Sequence, residues 1–226
     1  MGVKVFNVLI GLFIGGIGAL YEYLRMTFDS STKNLIVECK AEEALKKVEK
    51  VEKADIFKGY KTSCQLEKML CYIDLREFEK LEAYVDELDQ SDNIDYDVTL
   101  ISKYAKMISY GERGMKNKSK EAYKQLISVR DFTNKKGKRK KGSYYLNWDV
   151  VNGQHKNYDE EYQNAWKYLA KIDEANMNQR EVTQYLAAKA LSAKKLNRER
   201  DYEECLERID KLIGSNQALK EHVHNL

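Results

Sequence analysis

Proline is missing from all 226 residues, where an average composition would give it a share of about 5%. Proline stops helices and punctuates β-turns, so its absence argues against a turn-rich β fold and for helices joined by short links. Cysteine is sparse and unpatterned. Cys39, Cys64, Cys71 and Cys205 form no C-x-x-C pair, which excludes the common zinc and redox motifs and fits buried free thiols in a reducing compartment. Histidine is sparser still: His155, His222 and His224. His222 and His224 have no further ligands close in sequence, too few for a metal centre. His155 falls in an expected link and is read as solvated. No G-x-S-x-G nucleophile motif occurs. The segment GKRKKGS at 137–143 lacks the lysine that follows the second glycine of a phosphate-binding loop, and no strand precedes it. No cofactor or metal is implied, no catalytic residue stands out, and the chain is not expected to be an enzyme.

Charge is missing from one stretch, Val5 to Tyr21, and the chain stays apolar to Leu24 past Glu22. Twenty helical residues, 5–24, rise roughly 30 Å, about the thickness of a bilayer core. Tyr21 and Tyr23 fall where an aromatic belt would lie, and Lys4 and Arg25 bracket the run. The expectation is a single-pass membrane anchor at 1–25. Two alternatives stand beside it: a signal peptide cleaved after about residue 19, and a buried soluble helix. The four glycines at 11, 15, 16 and 18 weigh against a core helix, since each costs about 1 kcal/mol relative to alanine. They lie inside the apolar run, so they are no dinucleotide-binding fingerprint. Gly11 and Gly15 form a G-x-x-x-G pair that would let two such helices self-associate. Basic residues after the run (Arg25, Lys33, Lys40) against Lys4 before it tilt the large domain towards the cytoplasm. Labelling of Cys205 is the experiment that would report its side.

The remainder is 33% charged and 43% hydrophobic over the whole chain, a balance that folds. Its formal charge of +3 is local: Lys135, Lys136, Lys138, Arg139, Lys140 and Lys141 hold six positive charges, and without them the balance would be −3. This basic run is the one candidate anion-binding site. It reads as a solvated loop, as a contact for anionic lipid headgroups, or as a site for nucleic acid or an acidic protein. The spacing of Tyr144, Tyr145 and Trp148 fits helix burial better than base stacking, so nucleic acid is not favoured.

What is abundant is helical periodicity. Phe78, Leu81, Val85 and Leu88 follow the spacing of one amphipathic face. The same spacing recurs at Ala41-Ala44-Val48-Val51, at Ala122-Gln125-Val129-Phe132, at Tyr162-Ala165-Leu169-Ile172 and at Tyr202-Cys205-Ile209-Leu212, about every 40 residues. Further helical stretches lie between them, marked by Cys64–Ile73, Val98–Ile108, Tyr144–Val151 and Val182–Leu196. Links are expected near Asp74–Arg76, Met115–Lys118, Gly153–Asn157 and Asn197–Arg200. A helix-turn-helix unit of this length cannot bury its apolar face alone, and stacking neighbours into a solenoid solves that.

Residues 72–81 (YIDLREFEKL) and 196–206 (LNRERDYEECL) resemble the turn into the second helix of tetratricopeptide repeats. Asp201-Tyr202-Glu203-Glu204-Cys205-Leu206 is the nearest match, with Cys205 where that family usually has alanine. The resemblance covers about residues 40–214, with a period nearer 40 than the family's ~34 and no closing proline. It implies a concave surface that binds a protein or peptide partner, without catalysis, recognisable by exposed Tyr, Asn, Lys and Arg on the first helices. The expected architecture is all-α: an anchor at 1–25 with the membrane span 5–24, a linker at 26–40, a TPR-like α-solenoid at 41–214 and a tail at 215–226. The function expected of it is a membrane-tethered scaffold. The alternative is a module binding anionic lipid or nucleic acid through the basic loop 135–141.

Overall fold

The computed structural model describes residues 2–91, 95–131, 146–213 and 216–226, with side chains from Gly15 onward. The described residues are all-α, with no strand among them. Their helices are α1 (Gly2–Ile36), α2 (Ala41–Ala54), α3 (Lys61–Asp74), α4 (Phe78–Asp89), α5 (Tyr96–Glu112), α6 (Lys116–Arg130), α7 (Trp148–Tyr158), α8 (Tyr162–Leu169), α9 (Gln179–Lys195), α10 (Glu199–Ile213) and α11 (Gln217–His224), with one 3-10 turn at Glu174–Asn176.

The helices form five successive pairs, α1/α2 to α9/α10, and each pair packs on the next. The second helix of each pair is the amphipathic one. Ala41, Ala44, Val48 and Val51 of α2 are buried, as are Leu81, Val85 and Leu88 of α4, Ala122 and Leu126 of α6, Ala165 and Leu169 of α8, and Tyr202, Cys205 and Ile209 of α10. These are the positions the spacing picks out except in α6, where Leu126 is buried and the expected Gln125 is exposed. One face goes inward because only that face is apolar.

The turns inside the pairs repeat with equal regularity. A residue with positive φ stands two positions before every second helix: Cys39 (52°), Arg76 (57°), Gly114 (70°), Glu160 (62°) and Asn197 (54°). In four of them two backbone bonds close the preceding helix, for example Glu77 N–H to Tyr72 C=O and Arg76 N–H to Ile73 C=O, with equivalents at Met115, Glu161 and Arg198. This is a Schellman closure, which requires a left-handed residue. Caps on the other side fix where first helices begin. Asp95 accepts from Asp97 N–H, Asn147 accepts from Asp149 and Val150, and Asn178 with Glu181 forms a capping box.

Three expectations about boundaries change. Residues 26–36, read as linker, continue α1, because Leu35 and the side chains around it enter the core. Residues 217–224, read as tail, form α11, with Leu219 and Val223 buried one turn apart. Gly153–Asn157, read as a link, is helical within α7, and His155 is buried, stacked on Tyr123 at 3.7 Å between ring centroids. Gly153 allows this, since a Cβ there would run into Leu169 of α8.

The end of the apolar run also differs. Leu24 is 1% exposed, buried with Val48, Val51 and Cys64, and Leu20, Phe28, Ala54 and Tyr60 pack against that cluster. The last turn of 5–24 therefore belongs to the domain core. A Cβ at Gly15, Gly16 or Gly18 would meet nothing within 4 Å, so this face of α1 stands clear of the pairs, while Ile17 between them is partly buried. No helix among the described residues is long and apolar enough to cross a membrane, and residues 5–14 of the run lie outside the described side chains.

Candidate functional site

The first helices of the pairs face one another. α3 packs on α5, α5 on α7 and α7 on α9, and α9 returns to touch α1. The stack thus winds back on itself within five pairs, and a polar seam fills its inside. Arg180, in the first turn of α9, donates from Nε and Nη2 to both carboxylate oxygens of Asp74 at 2.7 Å each, across 106 residues of sequence. The two side chains are 7% and 5% exposed. Gln184 Nε2 donates to Asp74 Oδ1 at 3.0 Å, and Asn216 Nδ2 donates to the Asp74 carbonyl at 3.1 Å. Burial lifts the Asp74 carboxyl above its usual range and Arg180 pulls it back towards ionisation. The Tyr104 hydroxyl donates to Gln154 at 3.1 Å and is pushed up to about 12 by burial.

A second cluster lies beside the first. Glu112 accepts from Arg76 Nη2 at 2.6 Å and from the Tyr158 hydroxyl at 2.7 Å, and His222 Nε2 of α11 stands 3.3 Å away. Burial lowers the His222 imidazole, with Glu112 opposing the shift. Between the clusters is a cavity of about 30 Å³, lined by Gln154, Asn157, Tyr158, Gln184 and Leu219. That suits an ordered water and is an order of magnitude below a small-molecule pocket of ~300 Å³ or more. Tyr104, Asn157 and Arg180 are residue types expected on an open concave face, and here they are buried. The seam joins the pairs to one another.

One stretch of the inner face is open. α1 and α3 splay, leaving an apolar groove of about 160 Å³ lined by Phe28, Thr32, Leu35 and Ile36 from α1 and Ser63, Leu66, Glu67 and Leu70 from α3. Polar contacts hold its floor. Glu67 is buried, its Oε1 2.6 Å from the Ser31 hydroxyl and its Oε2 accepting from Thr32 at 3.0 Å. Burial raises the Glu67 carboxyl, and those two hydroxyls lower it in part.

The basic run Lys135, Lys136, Lys138, Arg139, Lys140 and Lys141 lies outside the described residues, as do Tyr144 and Tyr145. Trp148 opens α7 and packs against the core, with the Arg130 guanidinium 4.9 Å from its ring centroid. All four cysteines are buried free thiols. Burial pushes Cys39 and Cys205 up to about 11 and Cys64 up to about 12. No described thiol is poised as a nucleophile, and Cys205 cannot serve as a native-state label. Among the described residues no three His, Cys, Asp or Glu side chains gather as metal ligands.

Asp74, Glu67, Arg180 and Gln184 carry no motif, and sequence reasoning missed them. The trace is a charge in register with apolar neighbours: Asp74 and Glu67 both fall on the buried face of α3. No protein-family model matches this chain, and neither a curated protein nor a solved structure matches it significantly.

Proposed function

We propose that the chain is a membrane-tethered helical-repeat scaffold, a TPR-like α-solenoid, that binds a partner protein or peptide and performs no chemistry of its own. The observation that carries this reading is the open apolar groove between α1 and α3, on a fold whose other first-helix neighbours pack tightly. Its volume takes one or two apolar side chains of a partner, the kind of anchor that dominates peptide docking. The recurring positive-φ residue two positions before each second helix supports the repeat assignment. The tether is supported by the uncharged run from Val5 on a helix with open space around Gly15, Gly16 and Gly18. The positive-inside bias, three basic residues after the run against one before it, favours the cytoplasmic side for the repeats.

A photo-reactive residue in place of Ile36, in the full chain in its own membranes, tests the groove. The expected result is a discrete adduct with one partner polypeptide. It disappears with Phe28→Asp and does not form from Glu203, exposed on α10. No adduct from position 36, or one indifferent to Phe28→Asp, would contradict the proposal.

A further inference from the structure

The turn between α2 and α3 displays its apolar residues outward. Ile56 and Phe57 are 67% and 55% exposed, at the tip of a connection of only a few residues. The turn is built to keep them there. Asp55 is buried and accepts from Gly59 N–H at 3.1 Å and Tyr60 N–H at 2.7 Å, and Lys58 holds a positive φ of 57°. The polar residue is thus turned in and used as a clamp, while the two large apolar ones face out. Lys53, Lys58 and Lys61 around them are exposed, and no carboxylate lies within ion-pair distance of these three among the described residues.

The position of the turn matters more than its composition. Gly59 lies directly against the Tyr21 hydroxyl, and the Tyr21 and Tyr60 rings are 6.1 Å apart. Tyr21 ends the uncharged run. The turn is therefore level with the point where α1 leaves the domain. Tyr23 and Met26, also exposed, lie on another face of α1 near the same level. Because Leu20 and Leu24 pack in the domain, the apolar length left to enter a bilayer is at most residues 5–19. That is about 22 Å of helix against a hydrocarbon core of ~30 Å. A span shorter than the core is accommodated by local thinning of the bilayer, which brings the headgroups closer to the flanking structure.

We propose that the Asp55–Tyr60 turn is a second membrane contact: Ile56 and Phe57 enter the boundary between headgroups and acyl chains, and Lys53, Lys58 and Lys61 face anionic headgroups. This rests on the membrane-tether reading. It adds a fixed orientation, since a helix and a wedge beside it hold the domain flush with the membrane. Amphipathic contacts of this kind combine apolar insertion with attraction to anionic lipid.

The test uses the full chain with Ile56→Cys, carrying an environment-sensitive fluorophore, in vesicles of phosphatidylcholine with or without phosphatidylserine. The buried native thiols leave the new one as the reactive site. Glu79→Cys is the control, on an exposed position beyond the far end of α3. The expected result is a blue-shifted emission at position 56, quenched by brominated lipid, with neither effect at position 79. Phe57→Asp should return the emission to its aqueous value. Replacing Lys53, Lys58 and Lys61 by glutamine should abolish the difference between anionic and neutral vesicles. If the chain resists alkaline carbonate extraction yet position 56 reports water, the wedge is wrong and the tether stands. A blue shift that survives Phe57→Asp overturns the wedge as well, because the label then inserts by itself. If the chain washes off in carbonate, the tether falls and the wedge with it.

Discussion

Arg180 and Asp74 meet inside the molecule as a bidentate pair: two guanidinium bonds and one amide bond from Gln184 reach the carboxylate, and the Asn216 amide donates to the Asp74 carbonyl. A buried pair of this geometry need not add net stability, but removing one partner strands the other. Arg180→Ala is expected to lower the unfolding free energy by about 3–5 kcal/mol, measured by urea titration. The double change Asp74→Leu with Arg180→Met should recover most of that loss, since no charge is left stranded. His222 makes a separate prediction. Burial puts its folded pKa below the unfolded value, so the unfolded chain binds more protons and stability falls as pH drops through about 6.5. The stability of the native protein relative to His222→Gln should therefore decline between about pH 7.5 and 5.5. A constant difference would show that His222 is not held neutral. The pairing of Asp74 with Arg180 was not legible in the sequence. Asp74 and Arg180 are 106 residues apart, and no periodicity links an aspartate at the end of α3 to an arginine at the start of α9.

At the scale of the element, legibility follows how many faces are buried. The second helices bury one face, so their spacing stands out against polar neighbours. α5 buries Val98, Leu100, Ile101, Ser102, Tyr104, Ala105, Met107, Ile108 and Ser109, which wraps most of its circumference and blurs the 3.6-residue signal. Links were expected at or beside three of these turns, but their left-handed conformation was hidden for another reason. Only Gly114 among the five positive-φ residues is a glycine; the others are Cys39, Arg76, Glu160 and Asn197. A non-glycine residue in that conformation costs roughly 1 kcal/mol or more. Glu160, whose exposed side chain makes, among the described residues, one 3.4 Å contact with Lys116, is the place to recover it. Glu160→Gly should raise stability by about 0.5–1 kcal/mol, the strain relieved less the extra backbone entropy. A loss of stability on that change would mean the turn is not under the strain its φ implies. α11 escaped notice because two apolar residues one turn apart are too few to show a period.

At the scale of the molecule, the stack of pairs winds back until α9 touches α1, and the inside is closed by the Asp74–Arg180 and Glu112 clusters. The all-α class and the repeating pairs could be read from spacing. The closure could not, because it depends on a small rotation per pair accumulating over the whole chain. Closure moves the proposed binding surface from a long concave face to the single groove where α1 and α3 part. It also makes α1 the organising element. Its early residues carry the uncharged run, its middle packs with α2 and α3 at Leu24, and its end lines the groove at Leu35 and Ile36. On this account one continuous helix joins membrane and binding site, so the partner is held at a fixed height above the bilayer. The most direct test is alkaline carbonate extraction of the full chain from cell membranes, beside a variant with Leu9→Arg and Phe13→Arg. The account predicts that the native chain stays in the membrane pellet and that the doubly charged variant is released as a folded helical protein. Recovery of the native chain in the supernatant would contradict it.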